Sequence, residues 1–270
     1  MEPEMYWVVG PNSNVGKTTL ATALISVLAG TGRKTLGFKP YGARKFIDII
    51  DLDCTGIPAE VSKVFGMDAV RLASASNVAS LDDIELISPV VTVSFPEYAN
   101  NLVTRAGARI IRNADFYRGK SALVLEKRAD YRNILEELGI RDWLDFQETE
   151  LGFPEVPRLG RRKVEECFRY LLKTRDVETV VCEGAGRFLP FWDAEKVVNH
   201  IVFIQSNEIY LFRDIDLNVS FGTDKLLPVQ NIVHALRQKS PRKAFLPFSR
   251  SARHDEVARE TVERLLGRTA

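Results

Sequence analysis

The sequence predicts an α/β protein with a mostly parallel central sheet and helices on both faces, and three observations predict it. An apolar run at Tyr6–Val9 leads through a glycine-bounded loop into a helical pattern. A second apolar run, Thr35–Phe38, closes a strand–loop–helix–strand unit whose crossover needs a parallel sheet covered by helices. Further along, an amphipathic helical pattern again feeds a short buried run, Thr179–Cys182.

The elements follow in order. Thr18–Ala29 sets Leu20, Ala23, Leu24, Val27 and Leu28 at helical spacing, and Gly30 and Gly32 stop it. Thr35–Phe38 ends at Lys39-Pro40. Pro58–Phe65 reads as a helix and Val90–Phe95 as a strand. Arg109–Arg112 and Ala122–Glu126 suggest a hairpin around Tyr117-Arg118-Gly119. Asp130–Leu138 is helical, Leu151–Gly160 with its two prolines and two glycines is a loop, and Arg161–Leu172 is the amphipathic helix. After Thr179–Cys182 come a strand at His200–Ile204, a helix at Pro228–Arg237, a strand at Ala244–Phe248 and a helix at Asp255–Leu266. Proline at a first helical turn is tolerated, which suits Pro228. No repeat or low-complexity linker interrupts the chain, so 1–270 reads as a single domain with a divergent insertion around 95–160.

Composition excludes several classes. The 270 residues carry 37 Lys+Arg against 36 Asp+Glu, a net charge of +1, which argues against a general polyanion or nucleic-acid binder. Arg105, Arg109, Arg112 and Arg118, with Phe116 and Tyr117 among them, form no nucleic-acid motif and read as a solvated hairpin face. Cys54, Cys167 and Cys182 are spaced for neither a disulfide framework nor a zinc site, as expected of reduced thiols. His200, His234 and His254 share no metal-ligand spacing. The N-terminus lacks the basic region of a signal peptide, and no apolar stretch approaches the ~20 residues of a membrane helix. The expectation is a cytoplasmic protein without a membrane partner.

The loop between the first strand and first helix carries the chemistry. Gly10-Pro11-Asn12-Ser13-Asn14-Val15-Gly16-Lys17-Thr18-Thr19 stands where a P-loop NTPase binds phosphate. Glycine lets backbone N–H groups turn toward phosphate oxygens, and the helix N-terminus adds partial positive charge. Lys17 suits the β/γ-phosphates and the Thr18 hydroxyl suits Mg²⁺. The expected ATP-binding set is Gly10, Asn12, Ser13, Asn14, Val15, Gly16, Lys17, Thr18 and Thr19. Five residues separate Gly10 from Gly16, one more than in the G-x-x-x-x-G-K-[ST] pattern. Pro11 stands where the partition ATPases carry an additional lysine.

This loop resembles that of the dethiobiotin synthetases, which has the same spacing, and its Ser-Asn-Val-Gly-Lys core is similar to that of the cobyric acid and cobyrinate amidation enzymes. Gly37-Phe38-Lys39-Pro40 and Glu183-Gly184-Ala185-Gly186 match two further motifs of these families, in the same order. The resemblance implies a Mg-ATP-dependent ligase that phosphorylates a carbamate or carboxylate ahead of ring closure or amide formation. It implies catalytic roles for Lys17 on the γ-phosphate, Lys39 on the acceptor anion and Ser13 as a hydrogen-bonding partner of that anion. Thr18 and Glu183 would hold Mg²⁺ with an acid from the 48–53 segment (Asp53, with Asp48 and Asp51 as alternatives). The implied partners are a small carboxylate, carbamate or diamine and a second copy of the chain.

The sequence departs from the family in places that admit other functions. Ala43 replaces the family's substrate-contacting serine and is followed by Arg44 and Lys45. Arg187-Phe188-Leu189-Pro190 replaces a glycine and an apolar run, and Leu246-Pro247-Phe248-Ser249 stands where an adenine-contacting asparagine is expected. The scattered cysteines offer no amidotransferase nucleophile. An eroded substrate pocket is the expectation for a regulatory P-loop ATPase, and the Arg44-Lys45 pair suits a small-molecule or nucleotide kinase.

Overall fold

Met5, Tyr6, Trp7, Val8 and Val9 are all buried, so this run forms a central strand with both faces covered. In the computed structural model, the described residues are 2–12, 15–45, 66–94, 109–115, 120–125, 145–147, 155–184, 198–215, 233–234, 236, 241–245 and 254–268. Strand β1 (Glu4–Val9) is followed by helix α1 (Lys17–Ala29) and strand β2 (Thr35–Phe38), the expected βαβ unit. Later in the chain come helix α4 (Glu155–Thr174), strands β8 (Thr179–Glu183), β9 (His200–Gln205), β10 (Glu208–Phe212) and β11 (Arg242–Phe245), and helix α5 (His254–Leu266).

These strands build a six-stranded sheet in the order β11-β10-β9-β1-β8-β2. The four strands β9, β1, β8 and β2 run parallel, while β10 and β11 add an antiparallel edge. The protein is thus an α/β protein with a mixed, mostly parallel sheet. Alternation divides each strand between two layers. Tyr6, Val8, Val181, Val202, Ile204, Ile209 and Leu211 join Leu20, Leu24 and Leu28 of α1 and Ala258, Val262 and Leu265 of α5 in one core. Met5, Trp7, Cys182, Ile201 and Phe203 point to the opposite face and are equally buried.

By contacts the chain divides into two units: 1–40, 71–81 and 172–270 form the first, and 41–70 and 82–171 the second. The expected insertion around 95–160 falls within the second unit, which begins at Tyr41. Its five-stranded sheet has the order β3-β4-β5-β6-β7, from β3 (Tyr41–Lys45), β4 (Val90–Ser94), β5 (Arg109–Asp115), β6 (Lys120–Leu125) and β7 (Asp145–Gln147). The β5–β6 pair is the predicted antiparallel hairpin. Helix α2 (Met67–Ala75) and the short helix α3 (Ile84–Ile87) lie between β3 and β4 in sequence. The helices predicted at 58–65 and 130–138 lie outside the described residues. Of that predicted at 228–237, Val233, His234 and Leu236 are described and helical.

Two expectations need correction. The predicted loop at 151–160 is helical from Glu155 onward, because Pro157 falls in the first turn of α4, where a missing N–H leaves no intrahelical bond unmade. Gly160 costs about 1 kcal/mol in a helix. The buried face of Val164, Cys167, Phe168 and Leu171, at helical spacing, outweighs it. Strand β10 was not foreseen. Ser206 (φ 49°) and Asn207 (φ 70°) adopt the left-handed conformation that a two-residue hairpin turn requires, and they return the chain antiparallel to β9. Among the described residues, no helix is long and apolar enough to cross a membrane.

At the N-terminal ends of the parallel strands, Glu4 accepts hydrogen bonds from Arg33, from the Tyr6 hydroxyl (3.1 Å) and from His200 Nε2 (2.7 Å). Burial alone would raise the Glu4 carboxyl. The bonds and charges of His200 and Arg33 outweigh it and hold the carboxyl below its ordinary 4.5. Burial of the ring, with the same carboxylate adding to it, pushes the Tyr6 hydroxyl up to about 12. A depressed acid stabilises the fold above its unfolded value and loses that contribution as pH falls through the folded value. The stability gap between wild type and Glu4→Gln is therefore expected to be full at neutral pH and to close below pH 4.5. Thermal melts across that range check this, and a gap independent of pH counts against it.

Candidate functional site

Parallel pairing and strand alternation bring three sequence-distant positions to one place. In register, Val8 lies beside Glu183, and Gly37 beside Val181. Lys39, one residue beyond β2, therefore lies on the same face as Gly37, next to Glu183 at the end of β8. Gly10, one residue beyond β1, continues the row. These are the carboxyl ends of parallel strands, with β8 lying between β1 and β2, and such ends form the usual ligand crevice of α/β sheets.

The loop at 10–16 is shaped by two glycines. A Cβ on Gly10 would lie 2.7 Å from Val15 Cγ2 and 2.9 Å from the Ile204 carbonyl oxygen, closer than any side chain tolerates. Gly16 has φ 93° and caps α1 without a side-chain hydrogen bond, while its carbonyl accepts from the Leu20 N–H at 3.0 Å. No side chain at the cap competes for the first N–H groups of α1, and its first turn carries no acid. That is the electrostatic setting in which a helix N-terminus accepts an anion. Lys17 is buried, and its ammonium donates to the Asn12 carbonyl at 2.5 Å, tying the helix start to the loop.

Across from the loop, a buried ion pair is shared with the helix. Lys39 Nζ lies 2.9 Å from Glu183 Oε1, and the two residues are only 6% and 2% exposed. The Thr18 hydroxyl donates to the same oxygen at 3.1 Å. The other oxygen, Glu183 Oε2, is buried and makes no hydrogen bond among the described residues. Buried carboxylate oxygens are normally satisfied, so this one marks where a further cation or donor fits. A hydroxyl and a carboxylate are hard oxygen donors of the kind Mg²⁺ takes. The described residues contain no group of three or more His, Cys, Asp or Glu that could enclose an ion. Thr18 and Glu183 could supply at most two donors of a partial shell.

The neighbouring Cys182 is fully buried on the opposite face, paired in register with Trp7. Burial pushes its thiol far up from the ordinary range, and the adjacent Glu183 charge adds to the shift. A thiol held protonated in this way is no nucleophile.

Of the residues singled out from sequence, Gly10, Asn12, Val15, Gly16, Lys17, Thr18 and Thr19 lie on this loop and helix start, and Lys39 and Glu183 meet opposite them. The Thr19 hydroxyl faces elsewhere, 3.5 Å from Arg71 Nη1, whose guanidinium also pairs with Asp255. Ser13, Asn14, Asp48, Asp51, Asp53 and Arg187 lie outside the described residues. Ala43, Arg44 and Lys45 belong to β3, in the second unit. Sequence reasoning missed two contacts: the direct Lys39–Glu183 pair, and the Asn12 carbonyl under Lys17. The first becomes visible only once β2 and β8 are known to be neighbours, and a backbone carbonyl leaves no signal in sequence. Compared with known proteins, the chain matches no protein-family model and no curated protein.

Proposed function

We propose that the protein is a Mg-ATP-dependent enzyme of P-loop type that phosphorylates a carboxylate or carbamate, a chemistry similar to that of the dethiobiotin synthetases. The observation that carries this reading is the shared Glu183 oxygen. A glycine loop, a metal-suited hydroxyl and a buried lysine converge at the carboxyl ends of β1, β2 and β8.

In this reading the N–H groups at the start of α1 and the Lys17 ammonium bind the triphosphate. Thr18 and Glu183 hold Mg²⁺, with an acid from 48–53 as the further expected ligand. When bound, Mg²⁺ neutralises charge on the β- and γ-phosphates. Lys39 orients the acceptor anion toward the γ-phosphorus, and the acceptor oxygen attacks in line while ADP departs. Such a transfer needs positioning and charge neutralisation rather than a protein nucleophile, consistent with the protonated Cys182. Ser13 adds a hydrogen bond to the acceptor, and a second copy of the chain is the expected partner by resemblance.

Phosphate release from Mg-ATP, with and without bicarbonate plus 7,8-diaminopelargonate, tests the reading. Stimulation by the pair is the expected result for a dethiobiotin-type acceptor. ATP hydrolysis indifferent to them, and to other small carboxylates, overturns the ligase reading. That outcome favours a regulatory ATPase instead, the function that Ala43 in place of the family's serine suits.

A further inference from the structure

We propose that the hairpin turn at Gln205–Asn207 reads the base of the bound nucleotide, its side-chain amides selecting adenine. The inference rests on the phosphate-loop reading above and adds a site for the end of the nucleotide to which that reading gives no residue.

Strand order gives a bound triphosphate its direction. β8 and β2 lie on one side of β1, and β9 lies on the other. Glu183 and Lys39, the metal and acceptor residues of the proposed mechanism, end β8 and follow β2. A triphosphate lying across the start of α1 with its γ-phosphate at Glu183 therefore leads its nucleoside towards β9. The end of β9 meets the loop directly. A Cβ on Gly10 would lie 2.9 Å from the Ile204 carbonyl oxygen, and one on Gly16 would lie 3.4 Å from Ile204 Cδ1. The next residues along the chain are Gln205 and Ser206, both exposed, and the half-buried Asn207.

The chemistry of this turn suits a base better than a phosphate. Gln205 stands opposite Glu208 across the hairpin. The Glu208 carboxylate accepts from the Tyr210 hydroxyl at 2.5 Å, and its charge repels phosphate oxygens. Among the described residues, no hydrogen bond engages the amide of Gln205 or Asn207. An amide carries an acceptor oxygen beside an NH₂ donor. Adenine presents the complementary pair, its N6 amino donor beside the N7 acceptor, and an Asn or Gln amide meets both. A 6-oxo purine presents two acceptors at that edge and leaves the amide oxygen unpaired. The paired ladder of β9 and β10 fixes the turn, so both amides stand on a short, ordered backbone.

The test is calorimetric binding of ATP, ITP, GTP and inorganic tripolyphosphate, with Mg²⁺ present, to the full chain. Wild type is expected to bind ATP more tightly than ITP or GTP. Gln205→Ala/Asn207→Gly is expected to bind ATP roughly 5- to 150-fold more weakly, the discrimination of one bidentate amide–base pair. The same variant is expected to bind ATP and ITP alike and to keep its affinity for tripolyphosphate. Glycine accepts the left-handed conformation of Asn207 (φ 70°) and Gln205 is exposed, so the hairpin is retained. An ATP-to-ITP ratio unchanged in the variant overturns the inference, as does a wild type indifferent to the base or favouring a 6-oxo purine. Equal weakening towards ATP and tripolyphosphate overturns it too, because the turn then supports the loop instead of reading the base. These results leave the phosphate-loop reading standing. Wild type binding neither ATP nor tripolyphosphate overturns that reading and the inference together.

Discussion

Lys17→Ala is expected to lower Mg-ATP turnover by roughly 10²- to 10³-fold or more, the scale on which a single pre-placed electrostatic group acts. Lys17 is 6% exposed, and its ammonium rests on the Asn12 carbonyl at 2.5 Å. It is therefore held at the loop rather than sweeping through solvent, and little ordering entropy remains to be lost when phosphate arrives. Alanine removes both the charge and the tie between helix start and loop. Phosphate release and calorimetric nucleotide binding check the prediction, with circular dichroism to verify folding. Turnover within a few-fold of wild type would remove Lys17 from the proposed mechanism.

Lys39→Ala is expected to do two separable things. Leaving Glu183 buried without its cation costs about 3–5 kcal/mol of stability, whereas replacing both members with apolar residues of similar volume is often neutral or better. The pair Lys39→Met/Glu183→Leu is thus expected to regain most of what Lys39→Ala loses in urea denaturation, while remaining inactive. Nucleotide binding by folded Lys39→Ala is expected to persist, because the proposed mechanism assigns it to Lys17 and the loop N–H groups, while phosphoryl transfer to the acceptor is lost. Unchanged transfer by Lys39→Ala would exclude Lys39 as an acceptor ligand. A double variant no more stable than the single one would mean that the site depends on the charges for its shape.

Much of the first unit was legible in the sequence, for reasons confined to short stretches of chain. Apolar runs bounded by glycine or proline marked β1, β2 and β8, an apolar run alone marked β9, and helical spacing marked α1 and α5. The loop between β1 and α1 stood out because its glycines and lysine have close to the spacing that phosphate binding asks for. Legibility fell where the governing interaction was distant or local rules conflicted. The helical start of α4 was hidden by Pro157 and Gly160, whose ordinary meaning is a loop, although position within the first turn made the proline harmless. The turn at Ser206-Asn207 lacks the glycine that usually signals a tight hairpin, so β10 went unread. β3 and β7 are short strands whose pairing partners, β4 and β6, determine them more than their own residues do.

By itself, the sequence determined the βαβ opening, the residue types of the loop and the presence of Lys39 and Glu183 at the ends of two strands. The tertiary structure alone decided that those residues meet, although 144 positions separate them. Strand order is the reason. A strand's sequence encodes how deeply it is buried, but which strand lies beside it depends on how crossover helices pack over the whole sheet. Placing β8 between β1 and β2 turns two separate strand-end charges into one buried pair, with Thr18 on the same oxygen. Burial in that shared position is what makes the lysine and the carboxylate depend on each other.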